Sequence, residues 1–346
     1  MKKNFPAWIL LLVLFGCNNQ NCQPQPSNCP DVAENAPAHL IAPDTVQQDK
    51  TGVEVVEEYE KNIILRLDSN KENDLPKRFR TSYSEFSPIK DEFGIDTSYV
   101  PTRKGLEDLK ISGSGQFSES EFKVMMSKIR EKFKGTVYIV DLRQESHGFI
   151  NGIAVSWYKT HNWANMDLTE ERIEKDEDGR MKNITGKPVS IYAIKSKNSA
   201  DNLHVVAEEV ITEKAMAARN GASYVRFPCV DHTWPAADMI DAFIAFYKTL
   251  PDDVWLHFHC SGGVGRTAAF MALVDMMRNP DLSLKDIAYR QASLKGNYLL
   301  YVPEEYSWKK EGYQVKSIMF RILYQYVQQN HANGFQTTWT EFLRQY

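Results

Sequence analysis

The sequence predicts an α/β fold with a mostly parallel central sheet flanked by helices, into which a small β-rich subdomain, a partial barrel, is inserted. Three observations predict it. Segments of helical period alternate with short apolar runs of strand type from Ser118 towards the carboxyl end, which is the rhythm of a sheet whose functional loops lie at the carboxyl ends of its strands. Between about residues 153 and 212 that rhythm breaks. The composition is that of an ordinary globular protein: of 346 residues, 42% are apolar, 12% aromatic and 25% charged, enough for one large domain or two small ones.

The first element in chain order is a leader. Lys2 and Lys3 precede an apolar run from Trp8 to Phe15, shorter than the ~20 residues a membrane-crossing helix needs. Residues 1–16 are therefore expected to be a signal peptide, and the protein to be exported. The stretch Leu14-Phe15-Gly16-Cys17 resembles the bacterial lipobox, which implies lipidation of Cys17 and a membrane anchor in the bacterial periplasm or outer membrane. Cys22 and Cys29 would then be free to pair in an oxidising compartment. Residues 17–50, rich in Asn, Gln and Pro, are expected to be a flexible tether, with 51–346 as the folded body.

Within the body, Ser118 and Glu121 have the spacing of a capping box, and Phe122, Met125, Met126, Ile129 and Phe133 recur on one helical face. The strand T-V-Y-I-V-D-L-R (136–143) follows. After the break come a helix near Glu213, the strand A-S-Y-V-R-F-P (222–228), a helix over Ala237 to Leu250 and the strand Val254 to His259. Helices opening at Gly265 and covering Ser283 to Leu294 and Tyr313 to Gln329 complete the layers. In the break, L-T-E-E-R-I-E-K-D-E-D-G-R-M-K reads as a charged, solvated stretch. P-V-S-I-Y-A-I-K and L-H-V-V-A-E-E-V-I-T read as strands, joined in space by strands from residues 53 to 66.

The chemistry concentrates in H-C-S-G-G-V-G-R-T, residues 259–267. A turn this rich in glycine lets the backbone N–H groups of Ser261, Gly262, Gly263, Val264 and Gly265 point into one concavity, and the following helix adds the positive end of its dipole. The result is a cradle for a dianionic oxyanion. The same donors, with Arg266, favour thiolate over thiol at Cys260 and make it a nucleophile. Arg266 can present two parallel donors to phosphate oxygens, Thr267 can donate its hydroxyl to the sulfur, and His259 can hold the cysteine backbone or tune its charge. Cys229, in an apolar run, reads as a small core residue. A proton donor for the leaving group is offered by V-D-H-T-W-P-A-A-D (230–238). Asp231, on the loop at a strand's carboxyl end, is favoured. Asp238 is better explained as an acidic residue at a helix N-terminus.

H-C-S-G-G-V-G-R-T is the signature of the protein-tyrosine-phosphatase superfamily. Taken with V-D-H-T-W-P, D-L-R-Q-E-S-H-G-F-I-N-G (141–152), H-N-W-A-N (161–165), S-W-K-K (307–310) and Y-V-Q-Q-N-H-A-N-G-F-Q-T-T-W (326–339), the chain from about Pro76 to Trp339 resembles the cysteine phytases. These are protein-tyrosine-phosphatase-like enzymes that dephosphorylate inositol hexakisphosphate. The resemblance implies a protein-tyrosine-phosphatase-like fold and stepwise phosphate release through a phosphocysteine. It further implies Asp231 as general acid with His232 beside it, Asp141 in the site, and Arg80, Lys309 and Lys316 on phosphates that are not being cleaved. Classical tyrosine phosphatases carry the acid directly after Trp-Pro, where Ala236 stands here. An inositol oxygen is a poor leaving group, so Asp231 must be protonated for the first step while Cys260 is thiolate, which implies a mildly acidic, bell-shaped pH profile. No metal or cofactor is expected.

A net charge of −4 gives no global attraction to polyanions, which speaks against a nucleic-acid protein and leaves phosphorylated small molecules to a local basic patch. Two other classes fit the loop. One is a secreted protein-tyrosine or dual-specificity phosphatase. The other is a binding module for inositol phosphates or phosphoproteins without turnover, against which the intact Cys260, Arg266, Thr267 and Asp231 speak.

Overall fold

The computed structural model describes residues 63–166, 168–194, 196 and 198–346. The expected leader, tether and lipidated Cys17, with Cys22, Cys29 and any strand over 53–62, lie outside the described residues. Among the described residues no helix is long and apolar enough to cross a membrane.

The chain opens with β1 (Ile64–Ser69) and β2 (Arg80–Thr81), then β3 (Ile111–Gly115), α1 (Glu119–Arg130), β4 (Thr136–Arg143), β5 (His147–Ile150) and β6 (Ile153–Tyr158). After α2 (Glu170–Ile184) come β7 (Pro188–Ile191), β8 (Leu203–Val206), β9 (Val210–Ile211), α3 (Glu213–Arg219), β10 (Ser223–Cys229) and α4 (Ala237–Thr249). The last strand is β11 (Val254–Cys260), followed by α5 (Gly265–Arg278), α6 (Leu284–Ser293), α7 (Lys310–Asn330) and α8 (Trp339–Leu343).

The central sheet has the order β10-β4-β11-β3-β2, parallel except for the short antiparallel edge β2. Helices cover both faces, so β11 is buried at every position and reads in sequence as a continuous run. Helices α4 to α8 pack one face around Phe243, Phe258, Phe270 and Trp339. On the other face α1 and α3 pack around Phe122, Met125, Met216 and Trp255. The expected capping box starts α1: Ser118 Oγ accepts from Glu121 N at 3.0 Å, and Glu121 Oε2 accepts from Ser118 N at 2.8 Å.

The pleat of β4 and β11 sorts the site residues. Val137, Ile139 and Trp255 belong to the α1 side, whereas Val140, Leu142, Leu256, Phe258 and Cys260 belong to the α5 side. Successive strand residues face opposite ways. Asp141, Arg143, His257 and His259 therefore lie on the α1 side, away from Cys260.

A second antiparallel sheet, β1-β6-β5-β9, and the hairpin β7-β8 share a small apolar core of Ile150, Val155, Ile191 and Ala207. The hairpin is tied to β1 where Leu67 N donates to Tyr192 O at 2.9 Å and Tyr192 N donates to Leu65 O at 2.8 Å. The interval expected to be β-rich holds more than strands. The charged stretch folds as α2, because Ile173, Glu177 and Met181 recur at helical spacing and are buried while its other side is solvated. With only Ile173 and Met181 apolar among them, the stripe is too thin to stand out from the charges. The second sheet also begins before 153, with β5.

Trp339 is fully buried against Tyr326 and Phe342. Trp339→Ala is expected to lower unfolding free energy by about 3–5 kcal/mol, as aromatic-to-alanine cavities do. Urea unfolding reads this, and a loss below about 1 kcal/mol would contradict the packing described.

Candidate active site

The loop between β11 and α5 turns sharply because Gly263 has φ +71°, and a Cβ there would lie 2.3 Å from Gly115 N. Only glycine fits both demands. The loop is also held from behind: Arg78 Nη1 donates to Gly262 O at 3.1 Å and Arg80 Nη1 donates to Gly263 O at 2.8 Å. With those carbonyls tied outward, the N–H groups turn inward. Cys260 is buried, and its Sγ accepts from Gly263 N and from Thr267 Oγ1, both at 3.2 Å. Burial pushes the thiol up, but Arg266 and the Thr267 hydroxyl outweigh it and hold the thiol below its usual value of 9.0.

Arg266 is clamped by Glu145, whose two carboxylate oxygens stand 2.8 and 3.1 Å from Nη1 and Nη2. Nη1 also donates to Cys229 O at 3.0 Å and Leu142 O at 3.3 Å. A fork–fork pair of this kind fixes the guanidinium plane. The remaining edge of the fork, Nη2, meets Asp231 Oδ2 at 3.1 Å. Burial opposes the charge on Asp231, yet Arg266, His232 and Asn162 together hold its carboxyl well below the usual range. Asp238 lies exposed in the first turn of α4, where its Oδ1 accepts from Met239 N at 3.0 Å.

Several expected residues gather in this pocket: Cys260, Ser261 to Gly265, Arg266, Thr267, Asp231, His232 and Lys316. Ser261 Oγ accepts from Arg66 Nη2 at 3.2 Å. His232 has φ +68° and its ring lies 4.9 Å from that of Trp308. Burial, with Lys309, Lys316 and Arg266, pushes it down to about 4 against the pull of Asp231. Lys316 is nearly buried on α7, and a Cβ at Gly265 would lie 3.6 Å from its Nζ. Burial pushes its ammonium down to about 8. Lys309 is exposed at the mouth, 5.2 Å over the Trp308 ring.

Three expected residues lie elsewhere. His259 is fully buried with Nε2 2.6 Å from Glu213 Oε1, and Asp141 is fully buried with its oxygens taken by Arg143 N at 2.8 Å and Tyr224 Oη at 2.7 Å. Both occupy the α1 face, because one residue along a strand reverses the side chain. They belong to a buried charged cluster with His147, Glu177 and Arg226, in which burial is overridden by Asp141 and His147 is pushed up to about 10. Arg80 is fully buried behind the loop, as its bond to Gly263 O requires, so it braces the cradle and does not line it. Burial pushes its guanidinium down to about 10.

Sequence reasoning missed Glu145, Arg66, Asn162 and Trp163. Glu145 and Asn162 sit inside motifs quoted for the resemblance, but nothing in the spacing ties residue 145 to residue 266. Asn162 Nδ2 donates to Asp231 Oδ2 at 2.6 Å and Trp163 Nε1 donates to Asp231 O at 2.9 Å.

Comparison with known proteins places the chain among phosphatases of this kind. The family model for protein-tyrosine-phosphatase-like phytases, described by inositol hexakisphosphate, matches residues 140–278. The protein-tyrosine-phosphatase-like myo-inositol phosphatase of Mitsuokella multacida, solved with myo-inositol-(1,3,4,5)-tetrakisphosphate, is similar with a TM-score of 0.78 and 42% identity, over 82% of this chain and 49% of that one. A protein-tyrosine-phosphatase-like phytase of Bdellovibrio bacteriovorus is similar with a TM-score of 0.65 and 28% identity, over 82% and 95%. Effector protein hopD2 of Pseudomonas syringae pv. tomato is 29% identical over 254 residues, 69% of this chain and 52% of that protein. The chain thus spans about half the length of the Mitsuokella and Pseudomonas proteins.

Alkylation of Cys260 by iodoacetamide is expected to follow a midpoint below pH 9.0. Thr267→Val should move that midpoint upward by removing the hydroxyl donor. A midpoint at or above 9.0 in the parent protein would refute the electrostatics described.

Proposed function

We propose that this chain, which belongs to the protein-tyrosine-phosphatase-like phytase family, is a phosphatase that releases inorganic phosphate stepwise from inositol hexakisphosphate and related inositol phosphates. The observation that carries it is the convergence on one glycine-rich loop of a thiol shifted towards thiolate by Arg266, a clamped guanidinium 3.1 Å from a carboxylate, and a nearly buried lysine. Nucleophile, anion cradle, proton carrier and a further phosphate contact are thereby within one pocket.

In the first step the Cys260 thiolate attacks phosphorus, the P–O bond to the ring carbon's oxygen breaks, and Asp231 gives its proton to that oxygen. The loop amides and Arg266 follow the charge on the three equatorial oxygens. In the second step water attacks phosphorus, Asp231 takes its proton, and the P–S bond breaks to return thiolate, steadied by Thr267, with release of phosphate. His232, Lys309 and Lys316 contact phosphates that stay on the ring. The reaction needs no metal.

The proton on Asp231 has to be accounted for, since Arg266 holds the unliganded carboxyl ionised. The expectation of a protonated Asp231 therefore applies to the complex. A phosphate monoester has its second pKa near ~6, so the group that docks on Arg266 can carry the proton in and release it to Asp231 as the phosphate oxygens replace the carboxylate on the fixed guanidinium. kcat/KM should accordingly fall as pH rises through ~6, where the ester loses that proton.

The test is phosphate release from inositol hexakisphosphate against a phosphotyrosine peptide, with and without chelator. Faster release from the inositol ester by kcat/KM, unaffected by chelator, is expected; a faster peptide would make the protein a tyrosine or dual-specificity phosphatase. Trapping of a phosphocysteine would exclude a binding module, and no release from either ester would leave only that module. In the same assays Asp231→Asn should lower kcat for the inositol ester by about 10²–10³, far more than for an aryl ester with a good leaving group, and should flatten the alkaline limb.

The leader supports a companion reading: export, lipidation at Cys17, and a tether over 17–50 that carries the phosphatase body, 51–346, in the periplasm or at the outer membrane. Cys17→Ser should move the protein from the membrane to the soluble fraction, and unchanged fractionation would refute the anchor.

A further inference from the structure

Asp231 leans on Arg266 in the unliganded site, but a phosphoryl group on the loop claims the same edge of that guanidinium. Once it does, Asp231 needs another anchor. The side-chain hydrogen bond that remains is Asn162 Nδ2 to Asp231 Oδ2 at 2.6 Å; His232, whose N donates to Oδ1 at 2.9 Å and whose Nε2 lies 3.8 Å from Oδ2, belongs to the acid's own loop.

Asn162 is not free to turn. Arg66 Nη1 donates to its Oδ1 at 2.7 Å, so a flipped amide would set N–H against guanidinium. Arg66 is itself fixed: Nε donates to Asp68 Oδ1 at 2.9 Å, its guanidinium lies 4.8 Å over the Tyr158 ring, and Nη2 reaches Ser261 Oγ at 3.2 Å. One buried arginine from β1 thus touches the phosphate loop directly and the acid loop through Asn162. The backbone carries strain on both sides of this contact. His161, Asn162 and His232 have φ of 62°, 66° and 68°, a left-handed conformation that is costly for residues with a side chain and persists where the surroundings impose it.

We propose that Asn162, held by Arg66, is a positioning residue that keeps Asp231 at the mouth of the loop when the substrate has taken Arg266. The inference rests on Asp231 being the general acid. With Arg266 taken by the substrate, Asn162 Nδ2 remains on Oδ2 and His232 N on Oδ1. The second sheet is by this account part of the catalytic apparatus, because β1 supplies Arg66 and the turn after β6 supplies Asn162.

Asn162→Gly is the discriminating variant, since glycine accepts the left-handed backbone and only the amide is lost. The measurement is kcat and KM for a series of aryl phosphates of graded leaving-group pKa. The variant is expected to lose about tenfold in kcat on the poorest leaving group and progressively less on better ones, with KM within about twofold of the parent, because protonation matters most where the leaving oxygen is most basic. Asn162→Ser, which shortens the side chain, should show the same trend and serves if the glycine variant does not fold. An unchanged dependence on leaving group, or an equal loss on every ester, would overturn the proposal. Aryl esters keep the two readings apart: absence of release from inositol hexakisphosphate by the parent would end the substrate reading and leave this test intact.

Discussion

The clamp of Glu145 on Arg266 is the interaction on which the rest of the site depends. Both groups are buried, and a buried ion pair offsets its desolvation only when geometry and further hydrogen bonds are good. Here the pair is bidentate and backed by the carbonyls of Leu142 and Cys229. With its plane fixed from behind, the guanidinium can offer its free edge forward, and that edge lowers the Cys260 thiol and holds Asp231 ionised. One fixed cation thus sets the state of both the nucleophile and the proton carrier.

Behind that cation stands a wider balance of charge. Five carboxylates with buried side chains, Asp68, Asp141, Glu145, Glu177 and Glu213, face four buried guanidiniums, Arg66, Arg143, Arg226 and Arg266, and His147. His147, pushed up to about 10 with Asp141 as the leading attraction, adds the charge of an imidazolium. The cluster spans the α1 face of the sheet and the junction with the second sheet, through Arg143 to Asp68 at 2.8 Å and Arg226 to Glu177 at 3.0 Å. It ties the two sheets together beneath the pocket, which is how residues of the smaller sheet come to reach the acid.

Much of this was legible in the sequence. The parallel strands, the capping box at Ser118 and the loop after Val254–Cys260 are local patterns, and local backbone preference decides them. The charged run that became α2 was not legible, because three buried residues at helical spacing are hidden among many solvated charges. Arg80 was read as a ligand contact since it is basic and lies in a family motif; it became a brace because β2 pairs beside β3 and brings it under the loop.

Contiguous residues determined the phosphate loop. Cys260, three glycines and Arg266 between a strand and a helix favour a turn of inward-facing amides, because that preference lies in bonds that are neighbours along the chain, and Arg78 and Arg80 then hold its carbonyls from behind. Only the tertiary structure decided who stands around it. The sheet's pleat sent His259 and Asp141 to the far face, one residue's step along a strand being a reversal of direction. The packing of the second sheet brought Arg66 and Asn162 to Asp231 across separations of 195 and 69 residues in their contacts with Ser261 and Asp231. No local preference encodes such encounters; they follow from how the layers close over a shared core.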